Sequence, residues 1–515
     1  MGEIDGKKLN LEIPLSDKFE VSYDYKTKTI DINQLESKIP NDFYGKNISN
    51  LNLIVGKNGS WKSTFLNLIG TKIRDRNSLF SFTDQWFIIY YNQNNEYVFE
   101  GSDYKMVADF SNLQSLALGY WITANYNEEE KSFENINYIQ DKKNGYLHDN
   151  LTYLYQPTDI NKFEYFSSPD NTVSFDRNYL YETSYNQEYS FLCEDFKKFA
   201  SISHELSYSI SNKSNNNFFY ENRSGLNLNL YGNNELSFKL FKLTSIGKSE
   251  EPCKLTEKES YIIYFLEQRI IEAWNSKEEK TYYETLFEQQ SVNWTENDLK
   301  KINQITKMSE WESFEDQKKY LLKILKELIY VLDSAFLEGE EETSFYYRAY
   351  SDFINHIDKI NPKYFKNERE LSFPIRSNPD EDNIREKSQD FINLLKIIDE
   401  YTQAGVDKKN DLVNHLLIGP SKLSDGQVSL VKQFSKIKTG LEKKIQLTNL
   451  SEIVLLIDEP EVYLHPNWSR KYLAQLLKYI NGSKTRYKVH IIITTHSPYL
   501  VSDTLGSSVL KIKSI

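Results

Sequence analysis

Two short apolar runs, Leu51 to Val55 and Trp86 to Tyr91, stand near the start of the chain, each bounded by Asn or Gly. Runs of β-branched and aromatic residues between turn formers predict strands. From about Cys253 to about Gly405 the spacing changes. Tyr261, Phe265, Ile270 and Ile271, and later Leu321, Leu322, Ile324, Leu325 and Leu328, recur at three and four positions, the helical period. Pro362, Pro374 and Pro379 interrupt this region and no heptad run is sustained, which predicts a compact group of modest helices rather than a coiled-coil arm. Strand-like runs return at Ile453 to Ile457 and His490 to Thr495. The two strand-rich ends are therefore expected to share one sheet with the middle looped out. That divides the chain into a first part of an α/β head (1–250), a helical insertion (251–410) and the rest of the head (411–515).

Composition narrows the partners. The formal net charge of -12 means that the summed field repels a polyanion, so any nucleic-acid contact needs a local basic face. Lys432, Lys436, Lys438, Lys443 and Lys444 form the one such stretch, and a solvated helix face is the commoner meaning of a charge run. The acidic run Glu338, Glu340, Glu341 and Glu342 reads the same way. Cys193 and Cys253 are the only cysteines, too few for a four-cysteine zinc site and in keeping with a reducing compartment. No window approaches the roughly 20 apolar residues that cross a bilayer, and the N-terminus lacks a secretory signal's apolar run. A cytoplasmic protein with no membrane contact is expected.

Chemistry concentrates in four places. After the Leu51 to Val55 run comes Gly56-Lys57-Asn58-Gly59-Ser60-Trp61-Lys62-Ser63-Thr64, leading into the helical run Phe65, Leu66, Leu68 and Ile69. A strand, a glycine-containing loop and a helix N-terminus point backbone N–H groups at a phosphate chain, which is the P-loop arrangement. Lys62 is then the residue that reaches the β and γ phosphates, and Ser63 the one that holds Mg²⁺. Trp61 stands where that pattern has glycine, so a distorted cradle and weak hydrolysis are expected.

The run Ile453 to Ile457 ends in Asp458-Glu459-Pro460-Glu461. A buried strand that delivers two adjacent carboxylates places Asp458 near a bound Mg²⁺ and Glu459 beside an attacking water as general base. Leu423-Ser424-Asp425-Gly426-Gln427 precedes a helical run from Val428 to Leu441, and taken alone it is also a capping box, Ser424 at the cap and Gln427 at the reciprocal position. His496 closes the strand-like run in Thr494-Thr495-His496-Ser497-Pro498.

In chain order, with the Gly56 loop first, then Leu423 to Gln427, the Asp458-Glu459 strand end and His496, the four motifs resemble those of ABC-type ATPases, and Leu423 to Gln427 is similar to the LSGGQ signature apart from Asp425 at its first glycine. The resemblance implies an ABC-type P-loop ATPase head, a mixed sheet with flanking helices, carrying a large helical insertion. It implies ATP and Mg²⁺ as ligands and a head-to-tail homodimer in which Ser424, Gly426 and Gln427 of one subunit meet the γ phosphate held by the other. His496 would bond that phosphate and place the water. A glutamine after a strand is also implied, and Gln93 and Gln156 both qualify.

The wording Asp458 to Glu461 with Leu464-His465-Pro466, and Thr495 to Pro498, resembles the RecF and OLD branch, over roughly residues 48–70 and 420–505. His465 would there lie in a segment that crosses the dimer interface. With the chain ending at Ile515 no built-in nuclease is expected, so the nearest resemblance is to the PtuA-type ATPases of Septu and retron-associated anti-phage systems, with the PARIS ATPases close behind. That implies a separate nuclease partner, most readily of HNH type, and DNA or a retron RNA–DNA with its reverse transcriptase as further partners. Two rival readings stand beside it: a RecF-like repair ATPase with DNA-stimulated hydrolysis, and a scaffold whose nucleotide site has decayed.

Overall fold

The computed structural model describes residues 1–4, 7–71 save 38, 41 and 58, then 76, 84–113 save 93, 120–139, 151–156, 184–194, 206–213, 255–270, 313–333, 340–375, 383–403, 412–445, 452–502 save 463, 484 and 485, and 504–511. Its strands are β1 (Glu3–Ile4), β2 (Lys7–Lys8), β3 (Phe19–Asp24), β4 (Thr29–Gln34), β5 (Ile48–Val55), β6 (Phe87–Tyr91), β7 (Tyr97–Gly101), β8 (Tyr120–Asn127), β9 (Ser132–Tyr138), β10 (Leu151–Gln156), β11 (Leu206–Asn212), β12 (Phe365–Asn367), β13 (Glu370–Ile375), β14 (Leu416–Ser421), β15 (Glu452–Asp458), β16 (Lys488–Thr495) and β17 (Val509–Lys511). The helices are α1 (Lys62–Gly70), α2 (Tyr185–Glu194), α3 (257–270), α4 (Phe314–Asp333), α5 (Glu340–Ile357), α6 (Asn383–Gln403), α7 (Asp425–Ile445), α8 (Pro466–Gly482) and α9 (Pro498–Val501).

Two compact units result. The first joins Met1–Thr183 to Ser424–Ile515, and the second is Ser184–Leu423. The first is built on a parallel five-stranded sheet in the order β10-β15-β16-β5-β17. A parallel sheet covered on both faces needs strands that are apolar throughout, and Ile453 to Ile457 and Ile491 to Ile493 are buried almost without break. Helix α1 packs on it through Phe65, Leu66 and Ile69, against Tyr155, Val454, Leu456 and Ile492. The approach is close at Gly70, where a Cβ would lie 3.1 Å from the Tyr155 ring. A second, antiparallel sheet, β6-β7-β8-β9, sends Val98 and Trp121 into the same core and carries an aromatic cluster of Phe99, Phe110, Tyr120 and Phe133 on its other side, under the β3–β4 hairpin.

Within the parallel sheet His490 donates a hydrogen bond through Nε2–H to Asn52 Oδ1 at 2.6 Å. Burial pushes its pKa down to about 4. The unfolded chain therefore takes up a proton first as the pH falls from the ordinary value near 6.5. Stability owed to the neutral ring is fully present above about pH 6.5 and is lost as the pH falls through 4. Part of the residue's surface stays accessible, so the loss is at most about 3 kcal/mol. Urea midpoints of wild type and His490→Asn, followed from pH 7 to pH 4, are expected to converge as the pH falls; parallel curves would show that His490 is not protonated on unfolding.

The second unit differs from the expected all-helical insertion. Besides α2 to α6 it holds an antiparallel sheet, β12-β13-β11-β14, and its limits of 184 and 423 lie outside the expected 251 and 410. Pro374, expected to break a helix, sits in β13 opposite Ser207. Strand β12 pairs only with Glu370 and Leu371, so at Pro374 the other side of β13 is an edge, where a missing N–H is tolerated. Phe373 stacks on Phe391 of α6 with ring centroids 3.8 Å apart. Asp399 of the same helix accepts the Tyr185 and Asn186 amides at 2.6 and 3.1 Å and so caps α2 from a distance.

Candidate nucleotide site

The parallel register brings the C-terminal ends of four strands to one edge, the place where open α/β sheets bind ligands. Val55 of β5 stands beside Thr495 of β16, Thr494 beside Asp458 of β15, and Ile457 beside Gln156 of β10. The segments leaving these strand ends thus meet at a common rim: the loop from Gly56, the carboxylates from Asp458, and His496.

The loop closes on itself through Lys62. This buried ammonium, 4% exposed, donates to Gly56 O at 2.9 Å and Lys57 O at 3.1 Å, and its third contact is Glu459 Oε1 at 3.3 Å. Ser63 Oγ donates to Asp458 Oδ2 at 3.0 Å, while Thr494 Oγ1 donates to Oδ1 of the same carboxylate. Gly59 takes a left-handed φ of 77° with nothing within 4 Å of a Cβ, as close approach of a phosphate to the backbone requires. Helix α1 has no acidic residue in its first turn and no side-chain cap, which leaves its positive end to an anion. The Ser60 hydroxyl is buried without a hydrogen-bond partner at the same loop. Asn58 lies outside the described residues, and Thr64 sits in the first turn of α1.

Trp61 does something the sequence did not foretell. Its φ of 67° and ψ of 13° are the left-handed conformation a glycine adopts easily. Its indole turns back to pack with Leu9, Leu68 and Trp86 rather than lying across the loop. The burden of the substitution therefore falls on backbone strain, about 1–2 kcal/mol for a residue with a Cβ. Trp61→Gly relieves that strain, and ATP hydrolysis is expected to rise; an unchanged rate of phosphate release would show that the tryptophan does not limit turnover.

Glu459 is also left-handed, with φ 44°. Its amide donates to Thr494 O at 3.0 Å and Thr494 Oγ1 at 3.3 Å, which swings the side chain off the strand toward Lys62 and His496. His496 Nδ1 lies 3.5 Å from Glu459 Oε1 and 3.8 Å from Glu461 Oε1, with its side chain 44% exposed. Gln156 is buried, 4% exposed, and its Oε1 has no hydrogen-bond partner. Of the two glutamines expected to fit the site, Gln156 stands at the end of β10 on this rim. Gln93 lies outside the described residues, between β6 and β7 of the antiparallel sheet.

Ser424 and Gln427 form the capping box that their spacing allows. The Ser424 amide donates to Gln427 Oε1 at 2.9 Å, and the Gln427 amide to Ser424 Oγ at 3.4 Å. Ser424 and Asp425 are exposed, and Gly426 and Gln427 half-buried, at the start of α7. One bond runs from this helix to the strand ends: Gln433 Nε2 donates to Pro460 O at 3.0 Å. His465 is the N-cap of α8, accepting the Asn467 amide at 3.4 Å through Nδ1, and it too is exposed. Of the basic stretch on α7, Lys432 is exposed and Lys436 and Lys438 half-buried; the side chains of Lys443 and Lys444 lie outside the described residues.

Residues 267–502 match the family model described as "AAA domain, putative AbiEii toxin, Type IV TA system". The chain carries an AAA/ABC-type P-loop ATPase domain. The match spans less than half of the chain and takes in the segments from Ser424 to His496, whereas the loop from Gly56 to Thr64 lies before it. No curated protein matches the chain. Among the described residues no helix is long and apolar enough to cross a membrane.

The groups at the rim suit Mg²⁺ and a triphosphate. Ser63 Oγ and Asp458 Oδ2 are an oxygen pair of the kind Mg²⁺ accepts, and Lys62 with the loop amides supplies positive charge. When bound, the metal neutralises charge on the phosphates and orients them.

Proposed function

We propose that this protein is an ATP-hydrolysing subunit of a prokaryotic anti-phage defence complex. Two copies would sandwich ATP head to tail, and the nucleotide state would control a separate nuclease, of HNH type by resemblance to the Septu and retron-associated ATPases. One observation carries the ATPase part: Lys62, Ser63, Asp458, Glu459, His496 and Gln156 meet at the C-terminal rim of one parallel sheet. The defence setting is supported by the description of the matched family and by the Asp458 to Glu461 and Leu464 to Pro466 wording. The start of α7 supports the dimer, since Ser424 and Asp425 are exposed there and Ser424 forms its capping box with Gln427 of the same turn.

The chain's own residues then have these tasks. Lys62 and the amides at the start of α1 bind the β and γ phosphates, while Ser63 and Asp458 hold Mg²⁺. Lys62 is paired with Glu459. A γ phosphate offers that ammonium a stronger charge-assisted partner, so substrate binding itself releases the Glu459 carboxylate to accept a proton from water. His496 orients the water and the phosphate from the other side. Gln156, at the end of β10, would bond the same water or Mg²⁺ shell. The Ser424 capping box of the second copy adds a helix N-terminus to the γ phosphate, and loss of that phosphate removes the contact.

Purified protein with Mg²⁺ and a non-hydrolysable ATP analogue tests this: a thermal shift and a doubling of mass by light scattering are expected, both lost in Lys62→Ala. A shift without dimerisation would remove the sandwich and leave the ATPase; no shift at all would remove both.

A further inference from the structure

Glu461 belongs to none of the tasks above, yet it is a buried carboxylate at the rim, its side chain 5% exposed. Its Oε1 accepts the Thr495 hydroxyl and, at 3.2 Å, the His496 amide. Both donors lie in the turn that carries His496 off the end of β16. Its Oε2 is buried with no hydrogen-bond partner. A carboxylate oxygen kept from water without a donor is costly by about 1–3 kcal/mol, so its retention calls for a donor that arrives in another state of the site. His496 Nδ1 lies 3.8 Å from Oε1 and 3.5 Å from Glu459 Oε1, and a small turn of the imidazole brings an Nδ1–H onto the Glu461 carboxylate. The Tyr472 hydroxyl is likewise buried without a partner, and burial together with the Glu461 charge pushes it well above its ordinary pKa.

We infer that Glu461 is a positioning residue for His496: it fixes the histidine's turn through Thr495 and the His496 amide, and it holds the imidazole proton on Nδ1, leaving Nε2 free to face the reacting phosphate and water. The division of labour follows from the two carboxylates that flank the ring. Glu459 must be free to accept a proton from water, so it cannot also hold the histidine; Glu461, buried and already bonded to the turn, can. This is the arrangement in which a buried carboxylate sets the tautomer of a working histidine. The inference rests on the ATPase reading for its consequence in catalysis, but not for the proton's position.

The test is the ring nitrogen spectrum of His496 in the full-length, nucleotide-free protein labelled with ¹⁵N-histidine, assigned with His496→Gln. In wild type the neutral ring is expected to carry its proton on Nδ1. A wild-type ring protonated on Nε2 overturns the inference without any variant. In Glu461→Gln the amide oxygen takes over the bonds from Thr495 and the His496 amide, which leaves an NH₂ donor in place of Oε2 and moves the ring proton to Nε2. Tyr472→Phe is expected to keep the wild-type signature; a shift as large as that of Glu461→Gln would assign Oε2 to the tyrosine instead. In steady-state kinetics Glu461→Gln is expected to lower kcat by about 10–100-fold with KM for ATP little changed. If ATP does not bind, the kinetic arm fails while the tautomer result still stands, so failure of the inference and failure of the ATPase reading are told apart.

Discussion

Replacing Glu459 by glutamine is expected to slow ATP hydrolysis by about 10²–10⁴-fold while leaving the nucleotide bound, because a general base contributes roughly that factor. Glutamine keeps the shape of the side chain and its place at a φ of 44°, yet its amide cannot take a proton from water. It also ends the 3.3 Å ion pair with Lys62, so the ammonium no longer has to leave a carboxylate before it meets the γ phosphate. Affinity for ATP should therefore hold or rise. Single-turnover phosphate release and retention of labelled ATP through gel filtration check the two halves separately. A rate within three-fold of wild type would show that another group activates the water; loss of ATP binding would show that Glu459 serves the loop and not the chemistry.

How much of this site the sequence declared depends on the distance over which each feature is encoded. Three strands of the parallel sheet, β5, β15 and β16, were legible because burial on both faces writes an unbroken apolar run, as in Ile453 to Ile457. Lys62, Ser63, Asp458 and Glu459 were legible because each is attached to such a run by a few residues. The sheet of the second unit was not. Its strands Leu206–Asn212, Glu370–Ile375 and Leu416–Ser421 are interrupted by Ser, Pro or Gly, and Glu370–Ile375 lies among residues of helical spacing.

Two functional positions turn on contacts far apart in the chain. Gln93 and Gln156 look alike locally, and only the register of β10 beside β15, which pairs Gln156 with Ile457, brings Gln156 to the C-terminal rim of the parallel sheet. Glu461 read as the tail of a motif, since its bonds to Thr495 and His496 join residues more than thirty apart. The available signal was a third acidic residue straight after Asp458-Glu459-Pro460, where a charged turn would ordinarily face solvent. Trp61 was noticed at once as a departure, but the sequence could not say that the indole would fold back onto Leu9 and Trp86.

The second large effect concerns stability and lies behind the site. Arg76 is fully buried, as is its partner Glu100, and their ion pair is 2.6 Å long. The guanidinium also donates to Ile69 O at 2.6 Å and Thr71 O at 3.1 Å, the carbonyls at the end of α1, and lies over the Tyr153 ring with 4.9 Å to its centroid. Tyr90 OH donates to Glu100 Oε2 at 3.0 Å, and burial first, then the Glu100 charge, push that hydroxyl well above its ordinary pKa. The network ties the end of α1 to β6 and β7 through Tyr90 and Glu100 and to β10 through Tyr153. Removing one member leaves a charge buried without its counter-ion. Arg76→Met and Glu100→Leu are each expected to destabilise the folded protein by about 3–5 kcal/mol, whereas the double variant, which removes both charges, should recover most of that loss. Urea unfolding of the three variants decides it: a double variant as unstable as the sum of the singles would mean that Arg76 acts through the α1 carbonyls and Tyr153, and not through its pairing with Glu100.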